Sequence, residues 1–267
     1  MLNYPPMAGM KIAWYGTATL MLACGDTRIL IDPYVRQYDK KQTPVPVDAL
    51  SAADAVLITH PHLDHFADIG AFLEAGAKEV YVSENGIRHA AAQGIPVGEM
   101  HPLAAGDVFR VGELTVRAYQ SRHCRFDLWT VLSVALSPRT YLHAKGAVAL
   151  LRQTKKWKIK DDIFAFEISG GGKRVVVLGS AGMDEGTEYP KDADLLVFPY
   201  QGRAGMHRYM KRFLQRFRPR AVMLDHFDDA FPPLTHTIGT RKFVPAARAF
   251  DRAMRAWVPE MGVWYEV

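Results

Sequence analysis

Cysteine is scarce in this chain: 2 among 267 residues, Cys24 and Cys124. That excludes a disulfide framework and leaves two thiols expected to stay reduced. Long hydrophobic runs are missing too; none approaches the roughly 20 apolar residues of a membrane span. The opening MLNYPPMAGMK lacks the charged-then-apolar order of a signal peptide, so a cytoplasmic location is expected. No proline- or glycine-rich linker, internal repeat or basic tail is present. One domain covering residues 1–267 is therefore expected, and a nucleic-acid partner is not. What remains is an ordinary globular composition, 49% hydrophobic and 23% charged, sufficient for a sizeable core. The net charge of +5 favours anionic partners only weakly.

The apolar stretches Lys11–Trp14 and Thr19–Leu22, the turn at Gly25-Asp26 and the run Arg28–Ile31 read as a hairpin leading into Asp32-Pro33. Gln37–Val47 reads as a loop, and Ala55–Ile58 as a short strand buried on both faces. Helices are expected at Phe66–Gly76 and Glu84–Gln93, with the strand Val80–Val82 between them. Short strands fill Val97–Tyr119. Phe164–Ile168, Arg174–Leu178, Leu195–Pro199 and Ala221–Leu224 read as strands, Met206–Phe217 and Val244–Trp257 as helices, and Gly262–Val267 as a closing strand. Strands then helices, twice over, suit an α/β architecture of two mostly antiparallel sheets with helices outside. Trp129–Lys160 breaks the rhythm. It reads as one or two apolar helices with a basic end, either a helical hairpin packed on the core or a lid or lipid-facing surface. Lys155, Lys156, Lys158 and Lys160 with Trp157 are residue types found at anionic interfaces.

The densest chemistry lies in THPHLDH, Thr59 to His65, directly after the apolar Ala55–Ile58. Zinc and similar dications take imidazole nitrogen and carboxylate oxygen in compact sites, and this stretch supplies both. Pro61 disfavours helix at His60, and in extended backbone His60 and His62 point the same way. Asp64 and His65 follow as the chain turns into the next helix, and can face the same cavity from another side. Polar loops carry histidines by chance, but this density behind a buried strand argues for metal.

The pattern His60-x-His62-x-Asp64-His65 resembles the HxHxDH signature of the metallo-β-lactamase-fold hydrolases. WYGTAT (Trp14–Thr19) is similar to the WxGHAT opening of one branch of that superfamily, and ILIDP (Ile29–Pro33) to its LIDP segment. That branch includes ascorbate-phosphate lactonases and N-acyl-phosphatidylethanolamine-type phospholipases D. Ser121–His123 resembles its later histidine segment, and Leu224–Phe227 its last. The resemblance spans most of the chain except Trp129–Lys160, which looks like an insertion. It implies a four-layered αββα sandwich. It also implies that His60, His62 and His123 hold one metal, that Asp64, His65 and His226 hold a second, and that Asp32 steadies the ligand loop.

Two positions depart from the branch. Its GDTG segment reads GSAG here, Gly179–Gly182, so Ser180 stands where a bridging aspartate is expected. A hydroxyl is a weaker ligand and brings no charge to hold two dications together. One tightly held ion is therefore expected, zinc with manganese or iron as the other candidates; the alternative is that Asp184 reaches in through a shifted loop. Thr17 stands where the branch has histidine. A dication lowers the pKa of a water it binds from about 15.7 to about 7. With one ion, Asp64 is free to take a proton from the attacking water and His226 to steady a developing oxyanion; with two, both residues are ligands.

The expected function is a metal-dependent hydrolase of a small or lipid-like, anionic ester, lactone or phosphodiester. A non-catalytic metal-binding protein, degenerate at Ser180, is the alternative from another class; a nuclease of the same fold is suggested by the basic charge alone. Secondary candidates are His207, Tyr200 with Gly202 near a strand end, and Cys124 as a soft ligand or plain buried residue. His101 and His143 read as structural or surface. Arg203, Arg208, Lys211, Arg212, Arg216, Arg218 and Arg220 read as a solvated helix face or an anion-steering one.

Overall fold

Successive side chains of a β-strand point to opposite faces, and the early strands of this chain are apolar on both. Ile12, Trp14, Leu20, Leu22, Ile29, Ile31 and Leu57 enter one buried cluster; the intervening Ala13, Met21, Leu30 and Val56 enter another. Strands of this kind need cover on both sides. The computed structural model shows how it is supplied and describes residues 7–35, 45–157, 163–231 and 235–267. Most of the expected loop Gln37–Val47, and Lys158 and Lys160 of the basic end, lie outside these residues.

The first half runs β1 (Met7–Trp14), β2 (Leu20–Gly25), β3 (Thr27–Ile31), α1 (Val47–Leu50), β4 (Ala55–Leu57), α2 (Leu63–Phe66), α3 (Ile69–Glu74), β5 (Val80–Ser83), α4 (Glu84–Ala92) and β6 (Met100–Leu103). The second half opens with β7 (Val108–Val111) and β8 (Leu114–Gln120). The insertion follows as α5 (Leu128–Ala135), α6 (Pro138–Leu142) and α7 (Ala144–Lys156). Then come β9 (Phe164–Gly170), β10 (Lys173–Leu178), β11 (Leu195–Pro199), α8 (Met206–Tyr209), α9 (Lys211–Phe217), β12 (Ala221–Asp225), α10 (Phe243–Phe250) and β13 (Arg255–Trp257). Last, β14 (Trp264–Glu266) returns to the first sheet.

The strands form two seven-stranded sheets, β14-β1-β2-β3-β4-β5-β6 and β13-β12-β11-β10-β9-β8-β7. In the first, β14 to β3 pair antiparallel and β3 to β6 parallel. The second repeats this plan, antiparallel from β7 to β10 and parallel from β10 to β13. The sheets are thus mixed, where strand order alone suggests mostly antiparallel. Hairpins reverse the chain, but each long crossover returns it to the same end of the sheet and makes the next strand parallel. Inner faces meet in one cluster, β1–β4 against Val116, Ala118, Phe166 and Val175. Leu50, Leu63, Phe66, Ile69 and Phe72 from α1–α3 cover the first sheet. On the second, Phe213 of α9 packs on Phe198 of β11, ring centroids 5.0 Å apart, and Phe243 of α10 on Tyr200 at 5.8 Å. The four layers are those of the expected αββα sandwich.

Local chemistry moves several boundaries. The expected helix Val244–Trp257 stops at Phe250: Asp251 is extended (φ −143°, ψ 121°), and its carboxylate accepts the Ala253 N–H. The chain turns there and adds β13 to β12 as a parallel edge strand. The expected helix Phe66–Gly76 starts earlier, as α2, and is interrupted at Asp68, whose carboxylate accepts the Val35 N–H. Among the described residues the insertion holds three helices, not one or two, and they are largely exposed. Its ends are tied down. Asp127 accepts N–H groups from Thr130 and Ala204, and Trp157, instead of facing an interface, is buried against Phe66 and His89.

The candidate site residues all follow carboxyl ends of strands: Asp32 after β3, His60–His65 after β4, His123 after β8, Ser180 after β10 and His226 after β12. Two glycines let these loops converge. A Cβ on Gly179 would meet Thr59 Oγ1 at 2.6 Å and the Phe164 carbonyl oxygen at 2.8 Å; one on Gly182 would strike the Arg122 backbone and lie 2.8 Å from the His123 carbonyl oxygen. Gly182→Ala is therefore expected to destabilise the fold by about 1–3 kcal/mol, as overpacking does, and to lower metal content. Gly186→Ala, whose Cβ would lie 3.4 Å from its nearest neighbour, Asp184, should stay within about 0.5 kcal/mol of the parent. Urea unfolding of both variants checks the contrast.

Candidate metal centre

Asp32 is a buried carboxylate with a left-handed backbone, φ 46°. One oxygen accepts the Thr59 N–H at 2.7 Å. The other accepts the Thr59 hydroxyl in a short hydrogen bond and the His65 Nδ1–H at 2.8 Å. With its only proton on Asp32, the Thr59 hydroxyl can meet His60 Nδ1, 3.0 Å away, only as an acceptor. Both imidazoles thus carry hydrogen at Nδ1, through one carboxylate, and turn Nε2 away from it. His123 Nδ1 donates likewise to the Cys124 carbonyl at 2.9 Å. This is the arrangement by which hydrogen bonds orient histidine ligands.

The six expected ligands fall into two groups. His60, His62 and His123 offer nitrogens within 4.8 Å of one another, and Asp64, His65 and His226 offer ligand atoms within the same span. The His60 and His65 rings, 4.0 Å apart, join the groups. α2 explains the second trio: His62 is the extended residue before it, so Asp64 and His65 occupy its single turn. Asp64 Oδ2 lies 3.1 Å from His226 Nε2. His226 is held from the far end of the chain. Its N–H donates to the Thr17 carbonyl at 2.7 Å, which also accepts Trp14 Nε1–H at 2.8 Å, while the Thr17 N–H donates to the Asp228 carboxylate at 3.0 Å. Thr17 and His226 are themselves left-handed, φ 47° and 51°. Such backbone persists only where surroundings hold it, here the WYGTAT turn and the Trp14–Phe227 stack at 4.7 Å.

His60 Nε2 and His226 Nδ1 are buried without a hydrogen-bond partner among the described residues. An orphaned buried imidazole nitrogen is costly, and a dication would satisfy His60 Nε2. Nitrogen and carboxylate donors of this kind suit zinc, manganese or iron. The groups open onto a cavity of about 950 Å³ walled by Ser180, Arg122, Phe126 and Phe231.

Electrostatics separates the groups. Burial, aided by the neighbouring histidines, pushes His60 well below the usual imidazole range, and burial lowers His123 also. Burial alone would lower His65, but the charges of Asp32 and Asp64 outweigh it and raise its pKa. Burial would raise Asp64, yet His65 and the His226 hydrogen bond hold its carboxyl well below the carboxylate range. Asp225, beneath the site, is raised well above that range, chiefly by burial.

Other candidates sort plainly. Ser180 Oγ accepts the Cys124 N–H at 3.0 Å, tying the His123 loop to the GSAG turn. Asp184 joins neither group; its carboxylate is held by Arg122 at 2.8 Å, the Gly186 N–H and the Thr187 hydroxyl. Burial pushes the Cys124 thiol up to about 11, so it stays protonated. Gly202 lines the cavity, whereas Tyr200 is buried in the layer of α10. His207 lies outside the cavity, His101 pairs with Glu79, and His143 is exposed. The basic run ties loops together: Arg203 binds the Arg125 carbonyl, Arg216 that of Thr187, and Arg218 and Arg220 pair with Asp192 and Asp194. Thr59, the link between Asp32 and His60, is the residue the motif reading passed over. Its place between a buried strand and the first histidine was the available signal.

The sandwich and its paired donor groups define a class. Residues 27–227 match the family described as Beta-lactamase superfamily domain, and the chain belongs to it. Two curated relatives are a UPF0173 protein of Pyrococcus abyssi, 30% identical over 114 residues (43% of this chain, 50% of that one), and a UPF0173 metal-dependent hydrolase of Rubrobacter xylanophilus, 33% identical over 126 residues (44% and 47%). The chain spans about half the length of these relatives. Among solved structures, Igni18, a metallo hydrolase of Ignicoccus hospitalis, aligns with TM-score 0.60 and 18% identity over 97% of this chain and 99% of that one. The metallo-beta-lactamase fold protein YhfI of Bacillus subtilis aligns with TM-score 0.64 and 16% identity, at the same coverage. At such identities these two share the fold.

Asp32→Asn is expected to lower metal affinity about 10–100-fold, as loss of a ligand-orienting partner does, and to cost about 1–3 kcal/mol of stability by leaving a buried donor unpaired; competition with a chromogenic chelator measures the first and urea unfolding the second. A pH dependence follows from His65. Its raised pKa means that a dication entering the Asp64–His65–His226 group competes with a proton at Nε2 up to a higher pH than at an ordinary imidazole. The sign is thus tighter binding at that group as pH rises, with proton release. At the other group, His60 and His123 are lowered instead, so proton release there is expected to be smaller. Calorimetry in buffers of different ionisation enthalpy distinguishes the two.

Proposed function

We propose that this chain is a metal-dependent hydrolase whose metal is held tightly by His60, His62 and His123. The observation that carries the reading is the convergence of six ligand-capable side chains from three separate strand ends, those of β4, β8 and β12, beside one cavity. A UPF0173 relative is named a metal-dependent hydrolase and Igni18 a metallo hydrolase, which supports it. The ion is zinc, with manganese or iron as the other candidates of the same donor chemistry. When bound, it supplies Lewis acidity and lowers the pKa of a bound water. A single tight ion is supported by Ser180, which brings no charge between the groups, by Asp184, which is engaged elsewhere, and by the raised pKa of His65, which makes a proton a stronger competitor at the second group.

The protein's own groups then have distinct tasks. Asp64, an ionised carboxylate at the cavity wall, accepts the proton of the attacking water. His226, 3.1 Å from Asp64, steadies charge that develops on the substrate oxygen. Asp32 and Thr59 keep the imidazoles in the tautomer that leaves Nε2 for the ion. Arg122 and Arg125 at the rim favour an anionic substrate, and the resemblance of WYGTAT and ILIDP to the lactonase and phospholipase branch favours a small or lipid-like ester, lactone or phosphodiester. A second reading, metal binding without turnover, rests on Ser180, whose hydroxyl serves the Cys124 backbone.

Elemental analysis of purified protein is expected to find one tightly held ion per chain and Ser180→Asp to gain a second; two stoichiometric ions in the parent would overturn the single-ion arrangement. Against phosphodiester, lactone and ester panels the metallated protein should turn over at least one class, with Asp64→Asn reducing kcat by about 100-fold or more. Full metallation with no hydrolysis in any panel would leave the non-catalytic reading standing.

A further inference from the structure

The insertion places large apolar side chains in water. Trp129 is 74% exposed, Leu142 78% and Leu128 70%, with Leu136, Tyr141 and Leu151 also well exposed. Between Leu128 and Trp157 the sequence contains Arg139, Lys145, Arg152, Lys155 and Lys156 and no aspartate or glutamate. All five cations are exposed. Exposed apolar area of this kind marks an interaction surface, and its charge selects the partner. An exposed insertion that is both apolar and uniformly cationic complements an anionic lipid surface, where tryptophan, tyrosine, lysine and arginine are the characteristic side chains. Two copies of the same face would repel each other. Among the described residues no helix is long and apolar enough to cross a membrane, so these helices would lie on it.

We propose that α5–α7 form a peripheral docking face for an anionic lipid bilayer. Asp127 and the buried Trp157 fix the two ends of the insertion to the body, so docking orients the whole chain. The face adjoins the metal centre: Phe126, just before α5 and 58% exposed, and Thr154 of α7 both line its cavity. Docked, the cavity mouth opens beside the bilayer, where a lipid-like substrate would be presented. Docking itself does not depend on the hydrolase reading, and its test uses no turnover.

Full-length protein is co-sedimented with vesicles of phosphatidylcholine alone and of phosphatidylcholine with phosphatidylglycerol. Binding is expected to the second kind, and to weaken as salt rises. Lys145→Gln, Arg152→Gln and Lys155→Gln should each weaken it, up to about fivefold per charge removed. Leu142→Asp and Trp129→Asp should abolish it without changing metal content or the thermal melt. Equal or absent binding of the parent to both vesicle kinds overturns the proposal, as does binding that none of these variants alters. Sedimentation velocity without lipid covers the other occupant: a dimer dispersed by Leu142→Asp, with no vesicle binding, would assign the face to a second copy.

Discussion

One carboxylate governs the centre. Asp32 accepts hydrogen bonds from the backbone and hydroxyl of Thr59 and from His65, and through Thr59 it sets the tautomer of His60. It therefore orients one histidine in each donor group. A neutral imidazole has one nitrogen to give; if Nδ1 were not kept protonated, Nε2 would not be free for a metal. The strain at Asp32, a left-handed aspartate at a strand end, is sustained because its buried oxygens are engaged by Thr59 and His65.

The sandwich makes that carboxylate useful. Strand ends from both sheets meet at one rim, so residues far apart in the chain become neighbours: His62 and His123 rings lie 5.1 Å apart, and His65 and His226 rings 5.4 Å apart. Close approach depends on absent side chains as much as on present ones. Gly179 lets the GSAG turn lie against Thr59, and Gly182 lets it pass under the His123 loop. In the same turn the Ser180 hydroxyl caps the Cys124 N–H. A serine at that position thus joins the turn to the His123 loop, a neutral structural link where the resembling branch has a charged ligand.

Much of this was legible beforehand because the signals are local. The apolar Ala55–Ile58 reveals a strand covered on both faces, Arg28–Ile31 the second arm of a hairpin, and the spacing of His60, His62, Asp64 and His65 a ligand loop. Legibility failed where distant contacts decide. Val244–Trp257 has helical spacing throughout, yet Asp251 turns the chain and β12 offers an open edge, so Arg255–Trp257 becomes a strand. Asp184 is close in sequence to Ser180, but Arg122 holds it away from both donor groups. Trp157 reads as an interfacial aromatic until Phe66 and His89 enclose it.

The sequence by itself determined the donor set, the apolar strands that carry it and the uncharged serine among its loops, because residue type and period suffice for each. Tertiary structure alone decided the distances that bring the donors into two groups, how Asp32 and Thr59 orient two imidazoles, and the exposure of the insertion's helices. Those depend on the angles and distances at which separate strand ends meet. Two sheets packed through a common core set that geometry, and no local stretch of the chain encodes it.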